Sequence, residues 1–335
     1  MVTALITGGT GFLGSHIART LLASGHRVRV LRRPTSPLTL IEDLPIENAI
    51  GDIMDVDSLD RAMQGCEWVF HVAAVSDYWR SNRVKLYLVN VNGTTNVLDA
   101  ARRAKVQRVI FTSSGAAVGF RDDGRPADET TAFNQLSSRF PYGHSKALAE
   151  IEAKRAIAHG QDVVILNPSL VLGPGDLNQI SGSAVVEIAR GNVPIYPTGG
   201  VTAIDVRDVA AAHLSAAQRG RSGERYILGT LDISHKAMLK LIAHIAGVPA
   251  PSIPIPPGLI PVAALVAEGL QWGLGQIGQT LPIDANQIRL SARNIFFDCR
   301  KAWRELGEPK IDIRQSLQET YDWYVDHGII KKRVI

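Results

Sequence analysis

Val2-Thr3-Ala4-Leu5-Ile6-Thr7-Gly8-Gly9-Thr10-Gly11-Phe12-Leu13-Gly14 is the stretch from which the fold can be read. A short apolar run, residues 2–6, ends in a turn whose glycines fall at the spacing G-x-x-G-x-x-G. Beyond it Leu13, Ile17 and Leu21, with Ala18 and Leu22, recur at helical intervals. The pattern predicts a strand, a glycine turn and a helix. A side chain at Gly8 or Gly11 would hold the backbone away from a pyrophosphate seated on the positive end of that helix, while Gly14 lets helix and strand pack closely. Ser24-Gly25 supplies a helix stop, and residues 26–31 alternate as a second strand with Val28 and Val30 on one face.

The alternation continues. Strands are predicted at residues 49–53, 68–72, 108–112 and 162–166, and helices near 56–63 and at 85–104 and 142–158. Strands alternating with helices read as an α/β fold, a Rossmann-type doubly wound parallel sheet covered on both faces. Past residue 170 the pattern loosens at Gly173-Pro174-Gly175, at the turn cluster 194–200 and in the proline-rich segment 249–261. The expectation is a dinucleotide-binding domain over 1–170 and a smaller C-terminal α+β substrate lobe over 171–335. Segments near 203–229, read as strands or turns at 203–209 and 225–229, return to the first unit, so the two interleave.

A chain of 335 residues has length enough for a large core without disulfide or metal staples. Net charge is 36 − 32 = +4, and no dense Lys/Arg run precedes the last five residues, so nucleic acid is not an expected partner. The two cysteines, Cys66 and Cys299, are far apart and lack metal-site spacing, which fits a reducing cytoplasmic setting and no bound metal. The N-terminus runs straight into the glycine turn and reads as part of the fold rather than as a signal peptide or an anchor. The apolar segment 253–277 is cut by Pro254, Pro256, Pro257, Pro261 and Glu268, too interrupted to span a membrane.

The end of the second strand selects the dinucleotide. An NAD site places an acid there for the ribose hydroxyls, but this chain has Arg32 and Arg33. Guanidinium groups grip a 2′-phosphate bidentately and stack on adenine, so NADP(H) is preferred, with NAD(H) the alternative; on the plainer reading one of the two arginines is simply solvated surface. Further on, Pro141 opens a helix whose i, i+4 spacing puts Tyr142 and Lys146 on one face. A cation beside a phenol lowers its pKa toward neutral, and Ser113 or Ser114, after the preceding strand, can hydrogen-bond the oxygen that exchanges the proton.

These motifs together resemble the extended short-chain dehydrogenase/reductase family, also described as NAD-dependent epimerase/dehydratase. It includes nucleotide-sugar epimerases and dehydratases, dihydroflavonol reductases and 3β-hydroxysteroid dehydrogenases. The resemblance is carried by Thr7–Gly14, Gly51-Asp52, His71-Val72-Ala73-Ala74, Asn90-Val91-Asn92-Gly93-Thr94, Thr112-Ser113-Ser114, Tyr142-x-x-x-Lys146 and Asn167-Pro168-Ser169, and it runs nearly end to end. It implies Tyr142 as general acid/base, Lys146 on the nicotinamide ribose and depressing the tyrosine pKa, and Ser114 on the reacting oxygen. It implies Gly8, Thr10, Gly11, Phe12, Leu13 and Thr112 as cofactor-binding, Asp52 and Ile53 at the adenine, Ala73 and Ala74 along the cofactor backbone, and Pro168 and Ser169 by the nicotinamide. Asn90 matches an asparagine that supports a proton relay in related enzymes, or else makes a structural helix-to-loop bond.

Among members, the segment from Leu290 through Asp298 to Gly307 resembles dihydroflavonol-reductase-like proteins, including hopanoid-associated sugar epimerases. Nucleotide-sugar enzymes typically carry an arginine before the segment equivalent to residues 199–209. Here the local positions before Asp205 hold no cation, although Arg190 or Arg293 could substitute from elsewhere. Leu259, Leu265, Leu270 and Trp272 either line an apolar substrate pocket or belong to a packed helix. The resulting expectation is an NADP(H)-dependent oxidoreductase moving hydride between nicotinamide and a ketone or secondary alcohol of a small-molecule substrate. The alternatives are a nucleotide-sugar epimerase or dehydratase with tightly held NAD(P), and a non-catalytic cofactor sensor. Relatives often form homodimers through helices equivalent to 85–104 and 142–158, although some are monomers.

Overall fold

The computed structural model describes residues 1–76, 82–121, 123–191, 193–275 and 285–331. The first strand, β1 (Thr3–Thr7), is buried along its whole length. Alternate side chains of a strand point to opposite faces. Ala4 and Ile6 accordingly enter one core with Ile17 and Leu21, whereas Leu5 enters another with Leu59, Val97 and Ala149. A strand apolar on both faces needs a helical layer on each side, and the rest of the chain supplies them.

The strands that follow are β2 (Arg27–Arg32), β3 (Glu47–Ile50), β4 (Trp68–His71), β5 (Arg108–Thr112), β6 (Val163–Pro168), β7 (Leu170–Leu172), β8 (Ile195–Tyr196), β9 (Gly200–Asp205), β10 (Arg225–Leu228), β11 (Leu231–Ser234), β12 (Ile253–Pro254) and β13 (Asn294–Ile295). Seven of them form one parallel sheet in the order β10-β6-β5-β4-β1-β2-β3. Helix α1 (Phe12–Ala23) contributes to the core on one face. On the other lie α2 (Val56–Met63) and, after the short α3 (Arg83–Tyr87), α4 (Gly93–Arg103) and α5 (Pro141–Ala158). From β1 the chain proceeds to β2 on one side and later to β4 on the other. The connections that leave the C-terminal ends of β1 and β4 therefore run to opposite sides and leave a crevice, the switch point at which such sheets take ligands.

A second, mixed sheet is built on β9, antiparallel to β11 and parallel to β7 and β13, with β8 and β12 as a separate pair. Its core joins α6 (Ser183–Arg190), then, beyond α7 (Val206–Arg219), α8 (His235–Ala246), and near the C-terminus α12 (Ile313–Asp326). Between α8 and α12 come α9 (Ile260–Gly275), α10 (Ala285–Ser291) and α11 (Arg300–Leu306). No helix among the described residues is long and apolar enough to cross a membrane.

Three predicted elements differ in detail. The strand expected at 49–53 is β3, ending at Ile50, because the chain turns at Gly51 and Asp55 accepts the Ser58 N–H to cap α2. The helix expected at 85–104 is α3 and α4 joined by a π-helical turn, Leu88–Asn92. The stretch 203–209 is not one strand: Asp205 ends β9 and its carboxylate takes the Arg207 N–H to start α7, whose Val209 and Ala210 join the core of the large sheet. Residues 225–228 do rejoin that sheet, as its edge strand β10. The last part of the apolar segment, 276–277, and the basic end of the chain, 332–335, lie outside the described residues.

Candidate cofactor and catalytic site

Where β1 ends, Gly8 adopts φ +73° and its carbonyl accepts the Gly11 N–H at 3.1 Å. A Cβ on Gly8 would sit 2.8 Å from the Ala73 nitrogen, and one on Gly14 would overlap the Gly8 carbonyl. The protein's own packing thus demands glycine at both positions, while the gap at Gly11 opens on the cleft. No side chain caps the start of α1, which leaves the first N–H groups of the helix available to an anion.

Beneath the turn, the Thr7 hydroxyl oxygen accepts the Val72 and Ala73 N–H groups and lies 2.8 Å from His71 Nδ1. Thr94 Oγ1 donates to the Asn90 carbonyl at 2.7 Å and lies 2.9 Å from His71 Nε2. Thr94 therefore accepts the Nε2–H, and Nδ1 accepts the Thr7 proton. Burial lowers the His71 pKa to about 3, so this clamp between β1 and β4 uses a neutral ring.

A cleft of about 780 Å³ runs from Arg32, Arg33 and Ser36 past the glycine turn to Ser114, Tyr142 and Lys146. Every residue named above as catalytic or cofactor-binding is on its wall, with Asp52 and Ile53 following β3 beside Arg32, Ala73 beside the turn, and Pro168 and Ser169 at the end of β6. The two arginines differ. Arg32 is fastened, its Nε donating to Asn48 Oδ1 at 2.8 Å, whereas the exposed Arg33 side chain has no partner among the described residues.

At the other end, α5 begins with Pro141 and carries Tyr142 in its first turn and Lys146 one turn on. Ser114 hydrogen-bonds the Tyr142 phenol, and its own oxygen accepts the Ala116 N–H at 3.1 Å. Ser113 turns away and donates to the buried Glu150 carboxylate at 2.5 Å, so Ser114 is the serine that faces the tyrosine. The Thr112 hydroxyl is likewise engaged elsewhere. His213 Nδ1–H donates to the Val209 carbonyl, so Nε2 accepts the Thr112 proton at 2.9 Å, and only the Thr112 carbonyl serves the site. That carbonyl accepts Lys146 Nζ at 2.8 Å. Burial lowers the Lys146 pKa to about 8, with Glu150 opposing the fall.

One expectation needs correction. Lys146 was to depress the Tyr142 pKa. Instead burial holds the phenol above its ordinary value, the Ser114 hydrogen bond is the opposing influence, and the ammonium is drawn to Thr112. Asn90, one of two readings above, proves fully committed: it accepts the Val75 N–H at 2.8 Å and donates to the Val75 carbonyl and to Ser145 Oγ. It is the helix-to-loop clasp, held in the π-turn.

Leu259, Leu265, Leu270 and Trp272 line no part of the cleft and stand 54–74% exposed, since α9 buries its opposite face, Ala264 and Ala267, toward Ala285 of α10. Arg190 pairs with Glu187, and Arg293 lies over the Phe120 ring, both off the cleft wall. The reading of motifs also missed Ser36, Lys85, Val89, Asn178, Ile180 and Ser181, which do line it. The i, i+4 spacing of Lys85 and Val89 was an available signal. For 178–181 there was none, because Asp176 shapes that loop by accepting the Ile180, Ser181 and Gly182 N–H groups.

The model of the NAD dependent epimerase/dehydratase family matches residues 4–229. A dihydroflavonol 4-reductase-like protein of Synechocystis sp. is 40% identical over 331 residues, covering 97% of this chain and 95% of that one. Sterol demethylase protein B of Methylococcus capsulatus is 32% identical over 330 residues, covering 98% and 100%. The crystal structure of gox2253 superposes with a TM-score of 0.86 at 38% identity, covering 99% of this chain and all of that one. With the glycine turn, the parallel sheet and the Ser114–Tyr142–Lys146 corner on one cleft, these matches place the chain in the NAD dependent epimerase/dehydratase family, among the NAD(P)-dependent enzymes of the extended short-chain dehydrogenase/reductase type.

Proposed function

We propose that the protein is an NADP(H)-dependent reductase or dehydrogenase that interconverts a ketone and a secondary alcohol on a largely apolar small molecule. The observation that carries this reading is the presence, on one cleft, of an exposed Arg33 with no side-chain partner among the described residues and of a Ser114–Tyr142–Lys146 corner. The residues fit a dinucleotide: a tight glycine turn whose Gly11 opens on the cleft, an uncapped helix start above it, and cations rather than an acid after β2. When bound, the nicotinamide would supply or receive the hydride.

The chain's own groups then manage the proton. Ser114 Oγ and Tyr142 Oη converge on the reacting oxygen. Tyr142 gives its proton to that oxygen in reduction and takes it back in oxidation, and Ser114 orients it. Lys146, still charged at neutral pH and directed by the Thr112 carbonyl, would hold the ribose. Also on the wall are Val75, Val89, Leu170, Val171 and Ile180, with Ser76, Lys85, Asn178, Ser181 and Asp176 as polar points, the last engaged by three loop N–H groups, and this apolar share suits an apolar substrate. A nucleotide-sugar substrate would need cations for its diphosphate, and Arg190 and Arg293 are turned to other partners, which leaves Lys85 as the one cation among the described residues named on this part of the wall.

Arg33 is the residue assigned to the 2′-phosphate, with Arg32 held by Asn48 as its neighbour. The test is titration of cofactor-stripped protein with NADPH and with NADH, followed by nicotinamide fluorescence. NADPH should bind at least tenfold tighter, about 1.4 kcal/mol, and Arg33→Ala should abolish the difference. Equal binding of the two by the unaltered protein would overturn the NADP(H) assignment.

A further inference from the structure

We propose that Glu150 is a positioning residue for this site: its buried carboxylate ties the strand ends that carry the catalytic groups to α5 and keeps Lys146 charged. The inference rests on the role given to Lys146 above. Glu150 lies one helical turn beyond Lys146 and two beyond Tyr142, and is 4% exposed. Its Oε1 accepts Ser113 Oγ at 2.5 Å from the end of β5 and Asn167 Nδ2 at 2.6 Å from β6. Asn167 Nδ2 also donates to the Ser114 carbonyl at 2.9 Å. One carboxylate oxygen thus sets the turn that presents Ser114 to Tyr142.

The other oxygen faces Arg225 of β10, 3.5 Å from Nε. Among the described residues that nitrogen and Nη2 have no hydrogen-bond partner, so Arg225 acts on Glu150 as charge rather than as a fitted fork. Two cations therefore flank one anion in the interior. Burial alone favours neutral Lys146, and the nearby carboxylate restores its proton. Of the other titratable groups nearby, the two histidines carry no charge at neutral pH. His71, on the Lys146 side, is neutral, and His213 is a neutral acceptor from Thr112. Glu129, behind Arg225, is pushed up by burial, its carboxylate accepting the Ile227 N–H and its carbonyl accepting Arg225 Nη1.

This triad makes a signed prediction that a purely structural role does not. In protein labelled with ¹³Cε-lysine, the Lys146 resonance is the one absent from Lys146→Met, and its midpoint in the unaltered protein should lie near 8. Glu150→Gln keeps an acceptor for Ser113 but removes the charge, and should lower that midpoint by about one pH unit or more. Arg225→Gln removes the competing cation and should raise it. Ser113→Ala, which deletes a hydrogen bond and no charge, should leave it in place.

NADPH affinity followed against pH supplies the second readout, with the alkaline loss of binding shifting in the same directions. An unmoved midpoint in Glu150→Gln, or equal shifts in Glu150→Gln and Ser113→Ala, would overturn the proposal. Should Glu150→Gln fail to fold, Arg225→Gln decides alone, since no upward shift there also overturns it. If Lys146→Met binds NADPH as the unaltered protein does, it is the cofactor role of Lys146 that fails, while the lysine midpoints still judge Glu150.

Discussion

Tyr142, Ser114 and Lys146 come from two elements, and each is set by a bond that is easy to name. Ser114 reaches the phenol because Ser113 is held back by Glu150, and Lys146 is directed by the Thr112 carbonyl. The buried phenol keeps its proton in this arrangement, as a general acid in ketone reduction should. Tyr142→Phe removes the transferable proton and little volume. Turnover of NADPH with a ketone substrate should fall by about a hundredfold or more, with NADPH affinity by fluorescence unchanged. A protein that only senses cofactor would show no loss of its response.

Helix α5 shows how one element can serve core and chemistry together. Ala149 and Ala153 pack under the sheet, while Tyr142 and Lys146 face the cleft and Glu150 faces the strand ends. The π-turn before α4 has a comparable effect, since Asn90 within it clasps the Val75 backbone of the loop that borders the cofactor cleft. Beyond the buried Ile260, helix α9 follows another rule, with Ala264 and Ala267 buried and Val262, Leu265, Val266, Leu270 and Trp272 outward. Leu265→Lys with Val266→Lys should therefore change unfolding free energy by no more than about 0.5 kcal/mol. Ala264→Lys, at a position with no exposure, should cost about 3 kcal/mol or more, both read by denaturant melts.

Across the whole molecule, the parallel sheet carries the ends of β1, β4, β5 and β6 to one edge, and the same packing buries two imidazoles. His71 titrates at about 3 and His213 at about 4, both lowered by burial from an ordinary value of 6.5. Between those values and the unfolded one, the unfolded chain binds protons that the fold refuses. Their contribution is complete above the unfolded pKa and is lost as pH falls through the window below it, by about 1.4 kcal/mol per pH unit for each ring. Denaturant melts should show stability dropping below neutrality, and His213→Asn should lessen the slope by one proton's share. An unchanged slope would contradict the assignment.

What the sequence by itself determined was whatever neighbours within a turn or a strand can specify: the strand, glycine turn and helix at Thr7–Gly14, the alternation that dictates a parallel sheet, and the common face of Tyr142 and Lys146. Those signals are legible because helix and strand periods repeat every few residues. Only the tertiary structure decided which hydroxyl of Thr112, Ser113 and Ser114 is left for the substrate, because their partners His213, Glu150 and Tyr142 lie far along the chain. The same holds for the clasp at Asn90, the loop at 178–181 and the outward face of α9, where apolar composition could not say which side would be covered. Burial and long-range hydrogen bonding select among residues that local pattern leaves equivalent, because the free energy of an unpaired buried group depends on what the whole fold brings beside it.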